Sequence, residues 1–382
     1  MENGLFITLA DEPSLALYLR EGVFSQHQQE EPDDNIDYRR THYAVMADYA
    51  CARKGTHVFF FREREIFYGG RVISAADDSN IGAFYLNGET SPMGRRADAD
   101  LGWDESERYG GVAGVWEQKK RSGTKEIAQP FLLRFDTDVE HAGKYIRSDD
   151  LYFELGDYPY PLKSNTIRNT GFCPMGPGET RELLDQIEKT DETYSPSEDV
   201  DVPDIVLDES KIEPFRPKYG IDKVSRESLT NEDHLEASII ADPSVLPDEL
   251  APDDHQSIVR QAPISPLKPM NIDQIDVVFY DPDFEGGMYP TKVLELKYSE
   301  ATVNNRRDDA EQILRYRRAT DKMAEYHLSA DPDDINVGMY APYYNEDHFR
   351  STIPESEIER INFRQFDETP DIPQFASRLN SC

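Results

Sequence analysis

The sequence predicts an α/β chain of two modules: a C-terminal α/β sandwich, with a mixed sheet flanked by helices, and an N-terminal mixed α+β module rich in strands. Three observations predict it. The chain has 382 residues, more than one hydrophobic core usually organises. Residues 225–370 read as helix, hairpin, helix, strand, helix, strand, the order of an α/β sandwich. Residues 1–175 carry short aromatic and β-branched runs instead, and an acidic, Pro-rich stretch at 176–224 reads as a linker, leaving 371–382 as a tail.

In the N-terminal module GLFITLA (4–10) has strand character and PSLALYLREGVF (13–24) has helical spacing. THYAVMADYACARKG (41–55) predicts an amphipathic helix ending at Gly55. THVFFFRER (56–64) and EIFYGGRVIS (65–74) predict a strand pair, with later strands at GAFYLNG (82–88), QPFLLRFDT (129–137) and DLYFELG (150–156). Thr90–Thr124, dense in Gly, Asp and Arg, predicts a long surface insertion.

In the C-terminal module NEDHLEASIIAD (231–242) predicts a helix ending near Pro243. After a loop come a strand at IDVVFYD (275–281), a turn holding Pro282, Gly286 and Gly287, and a strand at TKVLELKYS (291–299). A long helix over Asn305–His327, a strand at INVGMYAP (335–342), a short helix near Pro354–Glu359 and a strand at INFRQF (361–366) complete it.

Charge dominates the composition. The 75 Asp and Glu against 41 Lys and Arg give a net charge of −34, and Arg outnumbers Lys 27 to 14. Acid interleaved through the whole chain resembles the surfaces of proteins from halophilic archaea, where high salt screens self-repulsion. Such acidity disfavours a phosphate-rich partner in general. Locally the balance differs: Arg306, Arg307, Arg315, Arg317, Arg318 and Lys322 face only Asp308, Asp309, Glu311 and Asp321, a local charge of +2. No apolar run approaches the roughly eighteen residues that span a bilayer, and the first residues lack the pattern of a signal peptide, so no membrane partner and a cytoplasmic location are expected. Cys51, Cys173 and Cys382 are odd in number and widely spaced, which fits neither a disulfide framework nor a zinc site.

One constellation carries chemistry. Glu295 and Lys297 are two apart on a strand and share a face, and Asp276 sits on the strand expected to pair with it. Both strands are apolar around these charges, at Val277, Val278, Phe279, Val293, Leu294 and Leu296, as in a strand buried on two faces. Buried charge is costly unless it has a task. Two converging carboxylates suit a Mg²⁺ ion that neutralises a phosphodiester and acidifies a water, with Lys297 orienting or activating that water. Gln312 and Tyr316 are four apart on the following helix and share a face, with Arg315 and Arg318 beside them and Arg306 and Arg307 upstream as candidate phosphate contacts. Glu232 and Glu236, four apart on the first helix, each offer a further carboxylate. No Ser or Cys nucleophile motif, phosphate-cradling Gly loop or linked pair among His234, His255, His327 and His348 competes.

The ordered set Glu232, Asp276, Glu295-Leu296-Lys297 and Gln312-x-x-x-Tyr316 resembles the PD-(D/E)XK nuclease superfamily, especially its RecB-like branch and the C-terminal domain of archaeal NucS-type endonucleases. Aligning on Pro243 makes Glu232 the matching upstream acid, with Glu236 its competitor. The resemblance covers residues 225–370 and implies a restriction-endonuclease-like fold, dependence on Mg²⁺ or Mn²⁺, and endonucleolytic cleavage of DNA in restriction or repair. A double-strand cut by such a single-site nuclease calls for a homodimer. The chain departs from the pattern in a longer hairpin loop and in Gln274-Ile275 where a Gly often precedes the Asp.

GTHVFFFREREIFYGGRVI is similar to PUA-like domains of the EVE and YTH type, which implies a β-barrel with a pocket for a flipped, modified base. Trp103, Tyr109 and Trp116 would be its walls. The contrasting expectation is a non-catalytic nucleic-acid-binding or scaffold protein with a nuclease-like fold.

Overall fold

The computed structural model describes residues 3–9, 12–25, 44, 47–73, 83–86, 114–120, 123–129, 131–155, 162, 172–200, 202, 212–214, 232–241, 243–253, 256–263, 274–287, 289–298, 303–304, 307–327 and 331–365. The chain divides into two units, Glu2–Arg216 and Pro217–Cys382, both mixed α/β with mixed sheets.

The N-terminal unit is built on a nine-stranded sheet. Gly4–Thr8 runs parallel to His57–Arg62 and antiparallel to Phe172–Met175. His57–Arg62 folds back onto Glu65–Val72, and that pairing shifts register between Val58 and Phe59, where Gly70 and Tyr68 stand opposite. An extra residue in one strand bends a sheet, and this one curls as a half-barrel. Glu65–Val72 accordingly passes from Tyr145–Arg147 at its start to Phe131–Asp136 at its end. One core packs Phe6, Phe59, Ile66 and Tyr68 against Leu183 and Ile187. A second set stacks Tyr18 on Phe60, and Phe24 and Tyr49 on Phe172.

Several expectations change here. DLYFELG (150–156), read as a strand, falls largely in the helix Ser148–Leu155: Asp149 and Asp150 complement the positive end of the helix dipole, and only Ser148 and Leu151 are buried, so nothing enforces a two-residue alternation. Within the expected linker, Pro177–Lys189 is a helix with Pro at its start and Leu183 and Ile187 in the core, so the unit extends past residue 175. Ile212–Pro214 pairs with Ala83–Leu86 as a sheet strand. The last part of the expected insertion pairs Gly114–Lys120 with Gly123–Gln129 as a hairpin. Trp103 and Tyr109, the side chain of Trp116, and the tail 371–382 lie outside the described residues.

The C-terminal unit has a five-stranded mixed sheet in the order Ser257–Pro263, Gln274–Tyr280, Pro290–Leu296, Asn336–Ala341, Ile361–Gln365. The first three strands are antiparallel and the last two join in parallel. Parallel strands need a crossover, and the helix Asp309–His327 supplies it between Pro290–Leu296 and Asn336–Ala341. Ala310, Ile313, Leu314 and Tyr316 of that helix share one core with Val278, Val293, Val337 and Met339 of the sheet. The helix begins at Asp309 and not at Asn305 because Asp308 accepts hydrogen bonds from the backbone N–H of Ala310 and Glu311. Glu232–Ala241 forms the expected first helix. The strand Ser257–Pro263 and the helix Glu346–Thr352 were not anticipated.

Gly70 tests the account of the curl. It adopts φ +140°, and a Cβ there would lie 1.9 Å from the Asp136 carbonyl oxygen, whereas at Gly55 (φ +88°) a Cβ would meet nothing within 4 Å. Gly70→Ala is expected to cost at least about 3 kcal/mol, because backbone strain and a backbone clash add, against about 1 kcal/mol for Gly55→Ala. Denaturant melts of the two variants check this.

Candidate active site

The sheet gathers the acids because its antiparallel ladder ends where they begin. Val278 pairs with Val293 and Val277 with Leu294, and Asp276 and Glu295 follow immediately beyond the last pair, on the face shared with Val278 and Val293. Freed from ladder duty, the Leu296 N–H donates to Asp276 Oδ2 at 2.7 Å. On the other side, Glu295 lies beside Met339 in the parallel register, and the Lys297 N–H extends that ladder to the Tyr340 carbonyl at 3.0 Å. Asp276, Glu295 and Lys297 are buried, at 7%, 0% and 8% exposure.

Lys297 Nζ bonds to Glu295 Oε1 and lies 3.5 Å from Glu232 Oε2. The first helix therefore delivers Glu232 to the same ammonium. Glu236, one turn on, is engaged elsewhere: Arg260 Nη2 donates to its Oε2 at 2.5 Å and Gln261 Nε2 to its Oε1 at 3.1 Å. Of the two competing upstream acids, Glu232 faces the lysine, and Glu236 is neutralised by a buried arginine.

From the long helix, Gln312 Nε2 donates to the Tyr316 hydroxyl at 2.8 Å, and that hydroxyl donates to the Gln274 carbonyl at 2.6 Å. Tyr316 thereby spends its single proton, although it stands near Glu295 and the Glu295 and Asp276 charges help burial to hold its own ionisation above the ordinary range. Glu295 Oε2 is buried with no donor in hydrogen-bond geometry, as is Gln312 Oε1. A buried acceptor without a donor is costly. Here it faces the interior of an acidic cluster.

Burial first, then mutual repulsion, raises these acids. Burial and the Glu295 charge hold Asp276 well above the carboxylate range. Burial and the Glu232 charge, partly opposed by Lys297, push Glu295 up to about 6. Glu232 keeps 32% of its side-chain surface, yet its low-dielectric surroundings and the Asp276 charge push it up to about 7. Burial raises Glu236 against the pull of Arg260 and Gln261. Burial alone would lower Lys297, but Glu295, Asp276 and Glu232 overcome it and hold the ammonium firmly protonated. With all three acids ionised, Lys297 offsets one of three negative charges.

Other expected residues stand apart. Arg315 and Arg318 are exposed, whereas Gln312 and Tyr316 are buried, and Arg318 lies 3.8 Å from Glu357. Arg317 is 1% exposed and bonds to the carbonyls of Ile335 and Pro332, which makes it an internal strut. Arg306 and the side chain of Arg307 lie outside the described residues, and His348 caps no acid of the site but pairs with Asp308. Sequence reasoning missed Arg260 and Gln261. The signal was an arginine after the apolar pair Ile258-Val259, obscured by the Pro263 that ends SIVRQAP.

Among the described residues no group of three or more His, Cys, Asp or Glu is preassembled for a metal ion, and none of their helices is long and apolar enough to cross a membrane. No family model matches the chain, and neither does any curated protein or solved structure, so the reading of the site rests on its own geometry.

Proposed function

We propose that the C-terminal unit is a Mg²⁺- or Mn²⁺-dependent DNA endonuclease with a restriction-endonuclease-like α/β sandwich. The observation that carries this reading is the buried cluster of Asp276, Glu295 and Lys297, in which Glu295 Oε2 has no donor in hydrogen-bond geometry. Such an atom, beside a second carboxylate and in net negative surroundings, fits a hard divalent cation. Mg²⁺ keeps several waters and needs only one or two protein carboxylates. Asp276 and Glu295 would hold the ion, with Glu232 at the margin. When bound, it would neutralise phosphate charge and acidify a water.

The chain's own groups divide the remaining work. Lys297 stays protonated, so it serves as a donor and counter-charge to the phosphate and not as the base that takes the water's proton. Glu232, poised at about 7 and partly open to solvent, is matched to that task at neutral pH. Gln312 and Tyr316 fix the Gln274 backbone beside Asp276, and Tyr316 also steadies the Glu295 carboxylate. Arg315 and Arg318, both exposed, are the candidate DNA contacts. We read the curled N-terminal sheet as the PUA-like module and assign no residues to a base pocket in it. A double-strand cut would require a homodimer.

Three variants test the chemistry. With Mg²⁺ and molar KCl, wild type is expected to nick plasmid DNA, and Asp276→Ala and Lys297→Ala to lose about 100-fold or more. Equal cleavage by all three would sink the assignment. No cleavage by wild type of plain, modified, mismatched or branched DNA would favour the non-catalytic reading. Glu232→Gln should also flatten the rise of the rate through about pH 7.

A second test needs no substrate. Glu232 has a folded value of about 7 against 4.5 unfolded, so the folded state holds more protons between them. Its contribution is fully present below about pH 4.5 and is lost as pH rises through 7. In chelator, Glu232→Gln should lose less stability than wild type between pH 4.5 and 8, by on the order of 1 kcal/mol after allowing for solvent screening. Thermal melts across pH measure this; parallel profiles would contradict the account.

A further inference from the structure

Gln261 is, among the described residues, the only non-glycine inside a strand with a left-handed backbone, at φ +50°. Arg260 pairs with Val277 and Ala262 with Ile275, so the register is the same on both sides of Gln261, and the ladder skips the one position that would stand across from Asp276. A left-handed glutamine where the pairing skips one residue and then resumes in register is strained, and such strain persists only where the surroundings impose it. Its carboxamide spans two buried acids: Nε2 donates to Glu236 Oε1 at 3.1 Å and reaches Asp276 Oδ1 at 3.5 Å.

We propose that Gln261 is a positioning residue of the candidate metal site, and the inference rests on reading Asp276 and Glu295 as metal ligands. The Leu296 N–H fixes Asp276 Oδ2, and Gln261 approaches its other oxygen, so the carboxylate is restrained from both sides. A donor is the chemistry this place requires. Arg260 already holds Glu236 from one side, and the amide between Glu236 and Asp276 keeps two like charges from facing each other bare. Restraint of a ligand by its outer partners commonly changes metal affinity by about 10–100-fold.

Glycine and alanine at this position separate positioning from stability. Both lack the carboxamide, but glycine accepts the left-handed backbone and alanine does not. Titration of the full chain with Mn²⁺, followed by calorimetry, should give Gln261→Ala and Gln261→Gly the same loss of affinity, about tenfold, although Gln261→Gly melts at the higher temperature. Affinity that instead follows melting temperature, or wild-type affinity in both variants, would overturn the proposal. The underlying reading fails separately: it is lost if wild type and Asp276→Ala take up Mn²⁺ alike. With Mg²⁺, the DNA nicking rate of Gln261→Gly should fall while its KM for DNA stays at the wild-type value.

Discussion

Two carboxylates pair with one ammonium and a third bears on it by its charge, and the C-terminal unit is organised to make that tolerable. Asp276 and Glu295 come from adjacent antiparallel strands, Glu232 from the first helix, and Lys297 from the point where the Glu295 strand passes into its parallel partner. None could be buried alone at reasonable cost, because an isolated charge in a low dielectric loses its hydration without return. The mixed sheet solves the placement. Its antiparallel half ends at Val277 and Leu294, which releases the Leu296 N–H for Asp276, and its parallel half continues one residue further, which anchors Lys297.

The elements around the cluster are tied to one another by two arginines and a tyrosine. Like charges held together press the strands and helices apart, so the elements that bear them need struts. Arg317 is one: it ties the long helix to the Ile335 and Pro332 carbonyls at the entry of the next strand and pairs with Asp321 at 2.5 Å. Arg360 ties Asp321 to Asp333, at 2.8 and 2.6 Å, and so extends the brace to the residue before the last strand. Tyr344 sends its hydroxyl to the carbonyls of Met339 and Arg364, linking the two parallel strands beyond the site. Of the six basic residues that give this segment its local +2, one is thus spent inside the fold.

What the sequence disclosed, and what it hid, follows from which physical signal each residue carried. Asp276, Glu295 and Lys297 were legible because charge interrupted strands that were otherwise apolar, and Gln312 and Tyr316 because their spacing matched one helix face. The choice between Glu232 and Glu236 was not legible, since both positions fit the same helix and only the neighbouring strand, with Arg260 and Gln261, distinguishes them. That strand was hidden because it lies at the sheet edge, where a terminal Pro263 is tolerated. The helix Pro177–Lys189 was concealed by its acidic composition, although Leu183 and Ile187 lie four apart after a proline start. Ser148–Leu155 shows the reverse error, in which an aromatic pair suggested a strand while Tyr152 and Phe153 stand exposed, at 42% and 81%.

The electrostatics also assign roles that residue types alone leave open. A lysine among acids can serve as a base only if burial outweighs its partners and leaves it neutral. Here the partners win, because Lys297 has three carboxylates to answer and touches one of them directly. The ammonium is therefore a fixed positive charge, and any proton taken up near neutral pH must go to a carboxyl. Asp276 and Glu295 are the worse candidates, since in the proposed function their oxygens are committed to a cation. Glu232 remains: it is the most open of the three acids, and burial together with the Asp276 charge lifts it to about 7. Burial first and the Asp276 charge second raise this carboxyl, so what makes the cluster expensive is also what, in the proposed function, would suit Glu232 to proton transfer.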